Sequence, residues 1–133
     1  MALPHKLLKQ RETYLKDQKI KKDINDCSVK ALAIACNVPY GDAHRTLRMN
    51  GRVTNKGAYG YQILRGIRNL GCDYVEVLKW KGKTTKTIDL PRKHRYIVMT
   101  CNHALGVQFG LVKDYSAAKN MRIVKVYQIV NPY

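Results

Sequence analysis

The chain has 133 residues, of which 45% are hydrophobic; this is enough for one domain with a single core and argues against wholesale disorder. Its 25 basic residues outnumber its 9 acidic residues, so the formal net charge of +16 favours association with polyanions. No apolar run reaches the roughly 20 residues of a membrane-spanning helix, and the N-terminal MALPHKLLKQ lacks the pattern of a signal peptide. We therefore expect a cytoplasmic protein that is neither secreted nor bound to a membrane.

The N-terminal part of the chain changes composition sharply near residue 23. Residues 6–22 predict a polar helix with a thin apolar stripe, and residues 1–22 are treated as a basic helical arm. Asn25 and Asp26 are residue types that begin helices, and the CSVKALAIAC that follows is apolar on almost every side. Such a helix belongs in the middle of a domain, so residues 23–133 are predicted to form that domain.

The hydrophobic pattern changes from helical to strand-like at Gly71. Before it, two more helices are predicted, near residues 40–51 and 61–70. After it, short runs rich in Val, Ile and Tyr predict strands in CDYVEVLKW, HRYIVMTC, HALGVQFG, LVKDYS and MRIVKVYQIV. Phe109-Gly110 is a predicted hairpin turn. Helices followed by strands favour an α+β fold in which N-terminal helices pack on a C-terminal antiparallel sheet.

The cysteine spacing argues against a metal site. The four cysteines are widely and irregularly spaced, without a C-x-x-C pair or paired histidines nearby, so we expect neither a metal ion nor another cofactor. Cys36, Cys72 and Cys101 lie in apolar stretches, where reduced thiols are common. With no export signal, free thiols are expected rather than disulfides.

One combination of residues carries the chemistry of a thiol hydrolase. Cys27 follows the helix-starting Asn25-Asp26, and the first turn of a helix favours the thiolate that acts as nucleophile. The helix N–H groups can also stabilise an oxyanion. His103 begins a strand, and Asp114 lies on the strand expected to pair with it. A base and a group that orients it could therefore face the same cleft as the cysteine.

Each of these residues also has an ordinary structural interpretation. A cysteine early in an apolar helix is more often a packing residue, a histidine at a strand start is often held by structural hydrogen bonds, and an aspartate after a hairpin is usually a turn residue. The catalytic interpretation of Cys27, His103 and Asp114 therefore depends on their order along the chain: cysteine on an early helix, then histidine and aspartate on successive late strands.

Two blocks of sequence resemble small papain-like proteins of phages and bacteria. NDCSVKALAIACNVPYGDAHRTLRMNGR is similar to their N-D-C-x-x-[RK]-A-L-A core with its P-Y helix and G-R loop, and RYIVMTCNHALGVQFGLVKDY is similar to their H-A-L strand and glycine turn. With the last strand RIVKVYQIV, the resemblance spans about residues 23–130 and implies a papain-like fold with Cys27 as nucleophile, His103 as base and Asp114 as orienting residue.

The chain departs from this family pattern at two positions. Many papain-like enzymes carry a glutamine several residues before the cysteine as an oxyanion donor, whereas the nearest here is Gln18, so Asn25 is the candidate donor. Asn102 stands where the family usually has glycine before the histidine. The resemblance implies a phage-encoded cysteine peptidase or related thiol hydrolase that acts on a peptide or isopeptide bond of a protein or peptide substrate, in the host cytoplasm or the virion.

Positive charge is concentrated in KLLKQRETYLKDQKIKK and in KWKGKTTKTIDLPRKHR. A solvated surface is one interpretation, and binding to nucleic acid or an acidic partner is the other. Trp80 is expected either to stack on a base or to pack at a sheet edge. The alternative function is accordingly a basic nucleic-acid-associated or virion structural protein that uses a papain-like scaffold without catalysis. Its candidate nucleic-acid-binding residues are Lys79, Trp80, Lys81, Lys83, Arg92 and Lys93.

Three other residues are assigned to other roles. His44, beside Arg45 and Arg48 on the polar side of a predicted helix, is expected to be solvated or to face nucleic acid. Tyr59 and Tyr61 have two interpretations, as core residues or as walls of a substrate cleft, and the core interpretation is slightly favoured.

Overall fold

The computed structural model describes residues 2–84, 90–101, 103–108, 111–112 and 121–130. The described residues contain four helices, α1 (Ala2–Asp17), α2 (Cys27–Cys36), α3 (Tyr40–Met49) and α4 (Gly60–Asn69). They also contain five strands, β1 (Asp73–Glu76), β2 (Arg95–Met99), β3 (Ala104–Gln108), β4 (Leu111–Val112) and β5 (Lys125–Val130). In these ranges, no helix combines the length and apolar character needed to cross a membrane.

The strands form a single antiparallel sheet in the order β1-β5-β2-β3-β4. This confirms the predicted α+β class, with helices first and an antiparallel sheet after them. The pairing of Gln108 with Leu111 joins β3 to β4 as the sequence predicted, although Phe109-Gly110 itself lies outside the described residues. The α+β class alone does not distinguish a papain-like fold, so that finer assignment stays a prediction.

Helix α2 lies at the centre of the domain, against β3 and β2. Almost all of its residues are buried, as expected for a helix that is apolar on every side. Gly106 of β3 permits the close approach, because a Cβ atom there would lie 2.7 Å from Ile34 Cβ and 2.9 Å from the Ala31 carbonyl oxygen. Gln108 fixes the far end of the contact by donating a hydrogen bond of 2.6 Å to the Ile34 carbonyl.

Helix α1 packs into the same core as the rest of the chain. Leu7, Tyr14 and Leu15 are buried in a cluster with residues of α2, α3 and α4. The N-terminal segment was predicted to be an arm distinct from the domain, but its helix ends at Asp17 and is joined to the domain through this apolar stripe.

A second cluster covers the opposite face of the sheet. Alternating strand residues face away from the helices, including Tyr96 and Val98 on β2. Trp80, only 7% exposed, packs edge-on against Tyr96, with ring centroids 6.2 Å apart. The structure therefore corrects the assignment of Trp80 to nucleic-acid stacking, because its indole fills this cluster rather than facing a ligand.

Candidate active site

A cleft of about 250 Å³ lies where the first turn of α2 approaches the loop between β2 and β3. Both Cys27 and His103 line it, although they are far apart in the sequence. The remaining lining residues come from α2, from the segment that leads into α4, from α4 itself and from the β2–β3 connection: Ser28, Gly57, Ala58, Tyr59, Gly60, Ile63, Met99, Thr100, Cys101 and Ala104.

Cys27 is the first residue of α2, where backbone N–H groups lack partners within the helix. Asp26 occupies the preceding cap position, but its side chain makes no capping hydrogen bond in the described structure. Its carboxylate instead accepts hydrogen bonds of 2.6 Å from Arg11 Nε and from the Tyr40 hydroxyl. Lys30 Nζ lies 3.4 Å from its other oxygen. The Asp26 carboxylate therefore does not cap the backbone N–H groups at the N-terminal end of α2.

The Tyr40 hydroxyl remains a donor to Asp26 over the whole ordinary pH range. Burial, followed by the neighbouring Asp26 charge, raises the pKa of Tyr40 above its ordinary value. Arg11 extends the same contact, because its second nitrogen donates to the Asp23 carbonyl at 2.7 Å. A residue of α1 thereby holds the segment that leads directly to Cys27.

Asp23 is the centre of a buried polar network on this segment. Its carboxylate accepts two hydrogen bonds from Arg52, of 3.0 and 2.6 Å, and one of 2.8 Å from the Asn55 N–H. His44 Nε2 lies 2.9 Å away. Burial alone would raise the pKa of Asp23, but the hydrogen bonds from His44 and Arg52 outweigh it and hold this pKa well below its usual range. Asp23 therefore ties the segment before Cys27 to the loop that follows α3.

The environment of His44 differs from the sequence expectation. The residue was expected on a solvated helix face, but its side chain is fully buried between Tyr14 and Tyr40. A polar residue in a helix is assigned to solvent when only the local pattern is considered, because its partner Asp23 lies on a distant loop. The sequence carried no local signal of this network.

His103 immediately precedes β3, at the end of a tight connection from β2. The Thr100 N–H and the Thr100 hydroxyl both donate to the His103 carbonyl, at 2.8 and 3.2 Å. These bonds fix the backbone of His103 at the cleft, and the side chain is half-buried. Asp114, the predicted orienting residue, lies outside the described residues.

The structure gives Asn25 a different role from the predicted oxyanion donor. Its side-chain amide donates to the Asn55 carbonyl at 2.9 Å, and Asn25 is not among the residues that line the cleft. Ser28, which sequence reasoning did not select, does line the cleft. Its hydroxyl is buried and has no hydrogen-bond partner within the described part of the chain.

An exposed aromatic pair borders the cleft. Tyr59 and Tyr61 are 71% and 54% exposed, and their rings stack with centroids 6.0 Å apart. The Arg65 guanidinium lies 5.4 Å from the centre of the Tyr61 ring. The interpretation of these tyrosines as core residues is therefore wrong, and the alternative of a cleft wall agrees with the lining position of Tyr59.

The two thiols away from the cleft are buried. Burial raises the pKa of the Cys36 thiol, and the neighbouring Cys72 adds to this effect. Cys101, in contrast, is exposed and lines the same cleft as Cys27. In the described part of the chain, no three His, Cys, Asp or Glu residues are grouped so that they could hold a metal ion.

The predicted basic surface is exposed apart from Trp80. The residues of this surface lie between β1 and β2, before and after residues 85–89, which the structure does not describe. The exposed cations are Lys79, Lys81, Lys83, Arg92 and Lys93.

No family model, no curated protein and no solved structure matches this chain. The papain-like assignment therefore stays a prediction from the sequence motifs around Cys27 and His103.

Proposed function

We propose that this protein is a papain-like thiol hydrolase that acts on a peptide or isopeptide bond, with Cys27 as nucleophile and His103 as general base. The observation that carries the proposal is the cleft lined by both residues, because the sequence separates them by most of the domain. Nucleophilic catalysis by cysteine requires this proximity.

The reaction follows from the positions of the two groups. His103 takes the proton of the Cys27 thiol, and the resulting thiolate attacks the substrate carbonyl carbon. The oxyanion that forms lies near the uncapped N–H groups of α2. His103 then protonates the leaving amine, which leaves an acyl thioester on Cys27. Water activated by His103 hydrolyses the thioester and regenerates the thiol. In this proposal Asp114 orients the imidazole, as the family resemblance implies.

Labelling with iodoacetamide tests the activated nucleophile, and Cys101 is the matched internal control. Both thiols line the cleft, and Cys101 is the more exposed, so accessibility alone predicts faster labelling of Cys101. Thiols at helix N-termini or beside a histidinium ion generally have lowered pKa values, which increases their thiolate population near neutral pH, and the accompanying loss of nucleophilicity offsets only part of this gain. We therefore expect Cys27 to react severalfold faster than Cys101 at pH 6.5, as measured by peptide mass spectrometry.

The variant His103→Ala should remove this advantage, with the Cys101 rate unchanged as a sign that the cleft remains folded. Faster labelling of Cys101 than of Cys27 in the wild-type protein would exclude the proposed nucleophile. Equal labelling of Cys27 in the wild type and in His103→Ala would exclude His103 as the base that activates it.

The second candidate function is a non-catalytic protein that associates with nucleic acid or an acidic partner. The exposed cations around β1 and β2 favour it. It predicts DNA binding that weakens steeply with salt and is unchanged in the Cys27→Ala variant. The absence of DNA binding at low salt would remove this candidate and leave the hydrolase proposal intact.

A further inference from the structure

A second, smaller pocket lies at the opposite end of α2 from Cys27. Its volume is about 220 Å³, below the roughly 300 Å³ at which pockets begin to accommodate drug-sized molecules, so it suits a small group. Asn37 at the end of α2, the segment that enters β2 and the last residue of β3 form it. The lining residues are Asn37, Arg92, Lys93, His94, Arg95 and Gln108.

The lining of this pocket is cationic, and no acidic residue is among the described residues that form it. It contains two arginines, a lysine and a histidine from one continuous turn. Among the ion pairs of the described residues, none includes Arg92, Lys93 or Arg95. Within the described part of the chain, an anion could therefore reach these charges without first breaking a salt bridge.

The C-terminal end of a helix ordinarily repels an anion, because its last carbonyl groups lack partners within the helix. Here two of the last four carbonyls are already acceptors. The Ile34 carbonyl receives hydrogen bonds from Asn37 N–H and from Gln108 Nε2, at 3.3 and 2.6 Å. The Ala33 carbonyl receives one from Val38 N–H at 3.0 Å. The cationic turn therefore lies beside a helix end at which two of the four terminal carbonyls already accept hydrogen bonds.

We propose that this pocket, which we call the Arg92–Arg95 pocket, binds a phosphate group. Arginine matches phosphate with paired hydrogen bonds, and lysine adds a point charge. A nucleic-acid backbone and a free phosphate share this chemistry, and the net charge of +16 favours the backbone as the source. The inference deepens the polyanion candidate and does not depend on the proposed hydrolase.

The Arg92–Arg95 pocket and the Cys27 cleft lie at opposite ends of α2. Helix α2 has ten residues, so the pocket and the Cys27 cleft are separated by about 15 Å along its axis. Strand β2 runs from Arg95 at the pocket to Met99 at the cleft, and β3 returns from Ala104 to Gln108. A phosphate group held at the pocket would therefore leave the thiol cleft open.

The test compares two variants that each remove two exposed positive charges. One is the double variant Arg92→Gln/Lys93→Gln, which changes the pocket. The other is Lys81→Gln/Lys83→Gln, which changes exposed lysines of the basic surface that do not line the pocket. Binding of a fluorescent 16-base-pair DNA duplex is measured by anisotropy at several salt concentrations, and inorganic phosphate and polyglutamate serve as competitors. Iodoacetamide labelling of Cys27 is recorded for each variant.

We expect the pocket variant to bind the duplex at least about tenfold more weakly at low salt, and its log–log salt slope to fall by about 1.8, because each lost phosphate contact removes about 0.9. The control variant should change the slope by less than half as much. Phosphate that competes at millimolar concentration supports recognition of the phosphate group itself. Failure of both phosphate and polyglutamate to displace the duplex supports the nucleic-acid backbone as the source.

Equal losses in the two variants would overturn the pocket while leaving general polyanion binding in place. The absence of duplex binding by the wild-type protein would overturn both the phosphate pocket and general polyanion binding. Displacement of the duplex by polyglutamate, without any effect of phosphate, would also overturn the inference, because it would show attraction by charge alone. Cys27 labelling should be the same in both variants, so the hydrolase proposal is judged separately.

Discussion

The substitution Asp23→Ala is expected to destabilise the folded protein by about 3–5 kcal/mol. Asp23 is 1% exposed and Arg52 is 4% exposed, so the ion pair between them lies in the interior. Removing one partner of a buried pair costs about 3–5 kcal/mol because the other charge stays buried without compensation. The substitution also removes the acceptor of the Asn55 N–H and of His44.

Thermal unfolding followed by circular dichroism measures this effect. For a domain of this size, one kcal/mol corresponds to about 4 °C, so the melting temperature should fall by roughly 12–20 °C. Asp42→Ala is the matched control, because Asp42 pairs with Arg45 on the surface and exposed pairs contribute about 0–1 kcal/mol. A decrease for Asp23→Ala that is no larger than the decrease for the control would refute the assignment of a buried ion pair.

The pH dependence provides a second check on Asp23. A carboxyl group whose folded-state pKa lies below its unfolded value of about 3.9 stabilises the fold above that value. This contribution is lost as the pH falls through the folded-state pKa. The difference in stability between wild type and Asp23→Ala should therefore be constant between about pH 5 and pH 8 and should decrease below about pH 4. A difference that disappears already at pH 6 would contradict the depressed pKa.

Three further predictions concern packing and thiol exposure. Gly106→Ala should cost about 1–3 kcal/mol in urea unfolding, because the added Cβ would lie 2.7 Å from Ile34 Cβ; a cost below about 0.5 kcal/mol would show that α2 and β3 are farther apart. Trp80 is the single tryptophan, so the fluorescence of the folded protein should be blue-shifted and resistant to iodide, whereas emission like that of free tryptophan would contradict its burial. Cys36 and Cys72 should react with a thiol reagent at pH 8 only at the rate of unfolding, and rapid reaction of all thiols would contradict this core.

Local patterns in the sequence were sufficient for the elements and their order. The apolar CSVKALAIAC predicted the central helix, and the structure begins α2 at Cys27 and ends it at Cys36. The change of period after Gly71 predicted the antiparallel sheet. These properties depend on residues that are close in the chain, since helix and strand periodicity reflect burial of one face of a short segment.

The cleft required both levels of information. The sequence selected Cys27 and His103 from their order and from a family resemblance, and the tertiary structure brings both to one cleft. The tertiary structure also identified Ser28 and the exposed Tyr59 as lining residues of the cleft. No rule of residue spacing distinguishes these two positions from core positions.

The tertiary structure alone decided which polar residues are buried. His44 and Arg52 are charged or polar residue types that local patterns assign to solvent, yet both are buried around Asp23. Trp80, between lysines in the sequence, fills the second core. Burial of a polar group is favourable only when a partner compensates for its lost hydration, and those partners lie on distant segments. The sequence therefore determined the elements, whereas folding determined which polar groups meet away from water.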